Sequence, residues 1–116
     1  MTGAAGGLSG GLFAFRGAKL MPGAAYVLDL IGFDRRARAA SLVITGEGRL
    51  DEQTPAGKAV AEAAARCRQA GVACQAVVGR NDLEPHAAQR LGLAAVHEAT
   101  TLPQLTEAGY RIAERR

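Results

Sequence analysis

In the second half of the chain, apolar positions fall into short runs punctuated by glycine. Ser41-Leu42-Val43-Ile44-Thr45 is a β-branched run ending at Gly46, Val72 to Val78 a second ending at Gly79, and Leu93 to Val96 a third. Runs of this length and composition predict buried strands. Between them the period changes. Lys58 to Ala70 is alanine-rich and stops at Gly71, Leu83 to Leu91 is followed by Gly92, and Leu102 to Arg115 closes the chain. Each of these predicts a helix. Strand and helix alternating at such lengths predict an α/β fold, a mostly parallel sheet with flanking helices of Rossmann-like or flavodoxin-like kind.

The first half has a different texture, so the chain divides into a glycine-rich helical segment, 1–40, and α/β units, 41–116. Residues 1–20 carry six glycines, with Leu8, Leu12 and Phe15 on one helical face. Glycine weakens a helix by up to ~1 kcal/mol relative to alanine. Such density near a helix start predicts a backbone that approaches another helix or a ligand closely. After Met21-Pro22-Gly23, a helix is expected over 24–32, and Asp34 is expected to cap a short basic helix from Arg35 to Ala40.

Composition narrows the possibilities. One domain of 116 residues, 48% hydrophobic, can bury a core, and with no Trp that core must be built from Ala, Val, Leu and Ile. No apolar run approaches the ~18–20 residues of a membrane span. The start lacks a secretory pattern, and a cytoplasmic location is expected. The net charge of +3 gathers in Arg35, Arg36 and Arg38, in Arg66 and Arg68, and in Arg115 and Arg116. No aromatic residues interleave these cations as a single-stranded nucleic-acid binder requires, so they read as solvated helix faces. Cys67 and Cys74 match no metal or redox spacing and read as small apolar residues, with a disulfide the minor alternative.

Chemistry concentrates after the first predicted strand. From Glu47 to Lys58 the segment holds Glu47, Asp51 and Glu52, the cations Arg49 and Lys58, and Gln53 and Thr54. In a parallel sheet this is where ligands gather. Carboxylates able to hold Mg²⁺ beside cations able to neutralise phosphoryl oxygens suit phosphoryl transfer. The P-loop pattern fails, because Glu52 stands five residues before Gly57 and Ala59 follows Lys58. The dinucleotide fingerprint fails too, since Asp51 occupies the place of the third glycine. A small nicotinamide-binding domain is therefore a weak reading.

Thr45-Gly46-Glu47-Gly48-Arg49-Leu50-Asp51-x-Gln53-Thr54-x-x-Gly57-Lys58 resembles the signature segment of the bacterial glycerate kinase family, of glycerate 2-kinase type. The opening Gly3-Ala4-Ala5-Gly6-Gly7-Leu8-x-Gly10-Gly11 and the stretch from Pro22-Gly23 to Gly32-Phe33-Asp34 resemble it in the same order. The resemblance covers essentially the whole chain but only the C-terminal portion of a two-domain kinase. The family's Asp-Ser-Phe-Lys-Gly motif and inserted middle domain are not in this sequence. It implies ATP-dependent phosphorylation of D-glycerate with Mg²⁺, in a cleft between domains. Carried over, Asp51 would be metal ligand or base, and Glu47 a second metal ligand. Arg49 would hold the glycerate carboxylate, and Lys58 would steady phosphate oxygens. Gly3, Gly6, Gly7, Gly46, Gly48, Gln53 and Thr54 would contact substrate.

Quieter explanations stand beside these. Gln53 and Thr54 can cap a helix beginning near Pro55, Arg49 can form a structural ion pair with Asp51 or Glu47, and the glycines can be a helix-packing face. His86 and His97 read as surface or satisfied histidines, Asp29 and Asp34 as helix-surface residues. Asn81 and Asp82 follow the second strand and could line the cleft. At the level of function, the alternative to a kinase of a small hydroxy acid is a non-catalytic, self-associating α/β fragment.

Overall fold

Alternating apolar residues on a chain whose strands run parallel need cover on both faces, and the architecture supplies that cover unevenly. The computed structural model describes residues 3–52 and 58–114. A 3-10 turn, Ala4–Gly7, leads into α1 (Leu8–Arg16), then α2 (Gly23–Leu30) and α3 (Phe33–Ala39). Strands β1 (Leu42–Leu50), β2 (Ala73–Asn81) and β3 (Ala95–Glu98) alternate with α4 (Ala59–Ala70), α5 (Pro85–Leu91) and α6 (Leu102–Glu114). The sheet is parallel, in the order β1-β2-β3, as the sequence pattern predicts.

The core forms where α4 lies on one face of the sheet. Val60, Ala64 and Cys67 of α4 meet Cys74, Ala76 and Val78 of β2, with Leu50 and Leu93 closing the cluster. Alanine-rich α4 allows this close packing, and each fully buried Val or Leu contributes roughly 1.5–3 kcal/mol. Both cysteines are free, so the disulfide alternative is set aside.

Strand ends depart from expectation. β1 runs to Leu50 rather than stopping at Gly46, and β2 runs to Asn81 rather than Gly79. The two extensions pair with each other, Gly46 with Val77 through Leu50 with Asn81. Neither Gly46 nor Gly79 is a terminator; both let the backbones close. A Cβ on Gly79 would lie 2.6 Å from the Gly48 carbonyl oxygen, and one on Gly46 would lie 3.0 Å from that of Val77. β3 begins at Ala95, not Leu93, because Leu93 N–H is taken by Ala88 at the end of α5.

The helical segment also differs in detail. Gly32, not Asp34, is the N-cap of α3, and no side-chain cap bond is made there. Asp34 instead joins Asp29 and Glu62 around Arg66 (Nη1–Asp29 Oδ1 2.5 Å, Nη1–Asp34 Oδ1 3.3 Å, Nε–Glu62 Oε1 2.9 Å). Arg66 Nη2 also donates to the Ala25 carbonyl at 3.3 Å. Only 13% of the Arg66 side chain is exposed, so it is a tie between α2, α3 and α4 rather than part of a solvated face. α1 buries no residue.

Candidate active site

The predicted cluster divides. Because β1 extends to Leu50, Glu47, Gly48 and Arg49 belong to a strand and their directions are set by pairing rather than by a loop. Glu47 stands opposite Val78, a core residue. Its Oε2 is buried and has no hydrogen-bond partner among the described residues. A buried carboxylate oxygen without a donor is costly unless something neutralises it.

Beyond Glu47 the inside–outside alternation breaks: Arg49 is exposed while Leu50 is fully buried. Arg49 and Asp51 then line one recess with Glu52 and Asp82, about 450 Å³ in volume, where β1 and β2 end. Lys58, just ahead of α4, places Nζ 3.5 Å from Asp51 Oδ1 and so draws the helix start toward the strand end. Arg49 makes no ion pair with Asp51 or Glu47. Its partner is Asp82, through Nε to Oδ2 at 2.5 Å, and Arg80 Nε reaches Oδ1 of the same carboxylate at 2.6 Å. The two guanidiniums, Arg80 foremost, hold the Asp82 carboxyl below the usual carboxylate range.

Arg49, Asp51 and Lys58 are thus gathered, while Glu47 is not among the lining residues of the recess. Gln53 and Thr54, with Pro55 and Gly57, lie outside the described residues. Gly46 and Gly48 sit in the β1–β2 pairing. Gly3, Gly6 and Gly7 also stand away from the recess lining. There Ala5, Gly6 and Gly7 have φ of 51°, 65° and 89°, and the space beside Gly3, Gly6 and Gly7 is open. A non-glycine residue at positive φ, such as Ala5, is uncommon. Among the described residues the main packing partner of this turn is α1, the helix that follows it directly.

Sequence reasoning gave Asp82 only a place near the cleft and missed Arg80 and the shared carboxylate. The signal was the β1–β2 register, which sets Arg49 opposite Arg80 and is invisible until the strands are paired. His97 is satisfied, its Nε2 2.9 Å from Gln75 Oε1. Among the described residues no group of three or more His, Cys, Asp and Glu could hold a metal ion. Mg²⁺, however, is commonly held by one or two carboxylates with phosphate oxygens completing its shell. Asp51 in the recess offers one such carboxylate, whereas the orphaned Glu47 oxygen lies outside the recess lining.

Comparisons with known proteins bear on the family of the chain. Residues 1–115 match the glycerate kinase family. A glycerate kinase from Bacillus cereus is 38% identical over 113 residues, which is 97% of this chain and 30% of the relative. The glycerate 2-kinase of Escherichia coli K12 is 45% identical over 57 residues, 49% of this chain and 15% of the relative. A crystal structure of a candidate glycerate kinase 2 from Salmonella typhimurium LT2 superposes with a TM-score of 0.57 at 29% identity, covering 99% of this chain and 34% of that one. The chain therefore spans about a third or less of the length of these relatives, and over that span it belongs to the glycerate kinase family.

Proposed function

We propose that this chain forms part of an enzyme that phosphorylates D-glycerate with ATP, giving a phosphoglycerate, with Mg²⁺ as the metal. The observation that carries the reading is the recess at the ends of β1 and β2, where Arg49 and Asp51 meet and Lys58 is tied to Asp51. In this reading a glycerate hydroxyl attacks the γ-phosphorus, the bond to the bridging oxygen breaks, and ADP leaves. Asp51 either accepts the hydroxyl proton or ligates the metal, with Glu47 as a second ligand. The metal, when bound, supplies charge neutralisation across the phosphate oxygens. Arg49 grips the glycerate carboxylate with the planar fork suited to it, and Lys58 steadies phosphoryl oxygens. The glycine-rich opening, with its left-handed Ala5-Gly6-Gly7 turn, offers backbone N–H groups to substrate or phosphate. Two buried free thiols suit the reducing cytoplasm in which we place the reaction. Among the described residues no helix is long and apolar enough to cross a membrane.

A coupled ADP-release assay with D-glycerate and Mg·ATP on the 116-residue chain tests sufficiency, with turnover of about 1–100 s⁻¹ as the scale of a competent kinase. The role of Asp51 is tested by the Asp→Asn change at the matching position of the full-length Bacillus cereus relative. The expected loss is about 10²–10⁴-fold in kcat, and a variant within a few-fold of its parent removes Asp51 from the chemistry. A second reading, a non-catalytic chain that self-associates, is favoured by one observation: Leu8, Leu12, Phe13 and Phe15 of α1 are exposed together.

A further inference from the structure

Arg49 and Arg80 stand directly opposite one another in the β1–β2 register. Like charges at opposed positions of a sheet work against pairing, so their presence at this edge calls for a counter-charge. Asp82 provides one, accepting Arg49 Nε on Oδ2 and Arg80 Nε on Oδ1. One carboxylate between two guanidiniums leaves the trio at a net charge of +1. Both arginines are anchored through Nε, and their Nη groups have no hydrogen-bond partner among the described residues. The side chains remain 59% and 69% exposed. Two forks fixed at their base and open at their tips match the planar two-oxygen edge of a carboxylate or phosphate. Lys58 offsets Asp51 at 3.5 Å; Glu52 in the recess and Glu98, whose charge reaches Arg80, are the remaining acidic neighbours, and Arg80 itself is not among the recess lining residues.

We propose that Arg49, Asp82 and Arg80 form a two-guanidinium clamp for an oxyanion at the joined ends of β1 and β2. Arg80 contacts the anion beside Arg49, and Asp82 is a positioning residue that aims both forks. The inference rests on the site reading above and adds to it two residues that lie outside the Gly46–Lys58 segment. A carboxylate and a phosphate share the chemistry the clamp recognises, and titration distinguishes them.

Isothermal titration of the 116-residue chain with D-glycerate, and separately with inorganic tripolyphosphate, provides the test. Arg80→Ala and the near-isosteric Arg80→Gln are the variants, Arg90→Ala is the surface-charge control, and circular dichroism checks that each stays folded. Saturable binding of at least one anion is expected, weakened about fivefold or more by either Arg80 change and unmoved by Arg90→Ala. Preference for D-glycerate assigns the clamp to the hydroxy-acid carboxylate, and preference for tripolyphosphate assigns it to the nucleotide. The proposal is overturned if neither anion binds at about 20 mM, if both Arg80 variants bind as the parent does, or if Arg90→Ala causes the same loss. The Asp51 turnover test is independent. Its failure alongside a clear Arg80 effect would discard the catalytic assignment and leave the anion site standing.

Discussion

Cys67 on α4 and Cys74 on β2 illustrate what a single residue does in a core with few large side chains. Both are buried in the main cluster. Burial pushes the Cys74 thiol up to about 12, with Cys67 next to it adding to the rise, and burial raises Cys67 as well. In the unfolded chain these thiols ionise near the ordinary value of about 8.5. The folded state therefore holds more protons than the unfolded state between that value and about 12, and stability falls as pH rises through this window. Denaturant unfolding followed from pH 8 to pH 10.5 should show a falling midpoint, and Cys74→Ala should lessen the decline. A flat profile would mean that the thiols titrate normally and are not sealed in the core. Glycine 79 gives a complementary lesson. In sequence it reads as the stop after an apolar run, yet its missing Cβ is what lets β2 pass the Gly48 carbonyl, a requirement set by a residue 31 positions away.

Elements joined through one half-buried cation should separate when that cation is lost. Arg66 bonds Asp29, Glu62 and Asp34, which together raise its already high pKa further, Asp29 foremost. Removing it leaves three carboxylates without their common partner and frees α2 and α3 from α4. For Arg66→Met, which keeps much of the side-chain length, hydrogen exchange should quicken across 23–39 while amides of β1 and β2 keep their protection. Equal loss in the sheet would instead make Arg66 part of the global core. Nothing local announces this role, since Asp29 and Asp34 lie 37 and 32 positions from Arg66. What was legible follows from local rules. Period changes located α4, α5, α6 and the three strands, and glycine located the helix ends at Gly71 and Gly92. Strand ends were not legible. Gly46-Glu47-Gly48-Arg49 has the composition of a loop and is held extended only because Val77 to Asn81 pairs with it. Arg49 and Asp51 were legible as candidate site residues, but the tie of Arg49 to Asp82 was not.

At the scale of the molecule, the described structure carries apolar surface that it does not cover. The radius of gyration is 16.0 Å, with extents of 52 × 30 × 27 Å, against about 13 Å expected for a compact chain of this length. The excess has a visible source. α1 packs on the turn before it and on little else, so Phe15 is 88% exposed with Leu8, Leu12 and Phe13 nearby. Tyr26, Val27, Leu30 and Ile31 around α2 and Ile44 on β1 are exposed too, and β1 is an edge of a parallel sheet, a type normally covered on both faces. Large apolar side chains exposed in this number on one chain suit an interface when they adjoin. About 70% of the B. cereus relative's length lies outside the matched span, and the same surface suits either that further polypeptide or a second copy of this one. Light scattering coupled to size exclusion should therefore give a mass above 12.0 kDa that rises with concentration. Phe15→Glu with Leu12→Glu should shift it toward the monomer without loss of helix or strand signal, because neither side chain enters the core. A monodisperse monomer at about 100 μM, where micromolar self-affinity would already populate dimers, would overturn self-association and leave the further polypeptide as the occupant this surface suits.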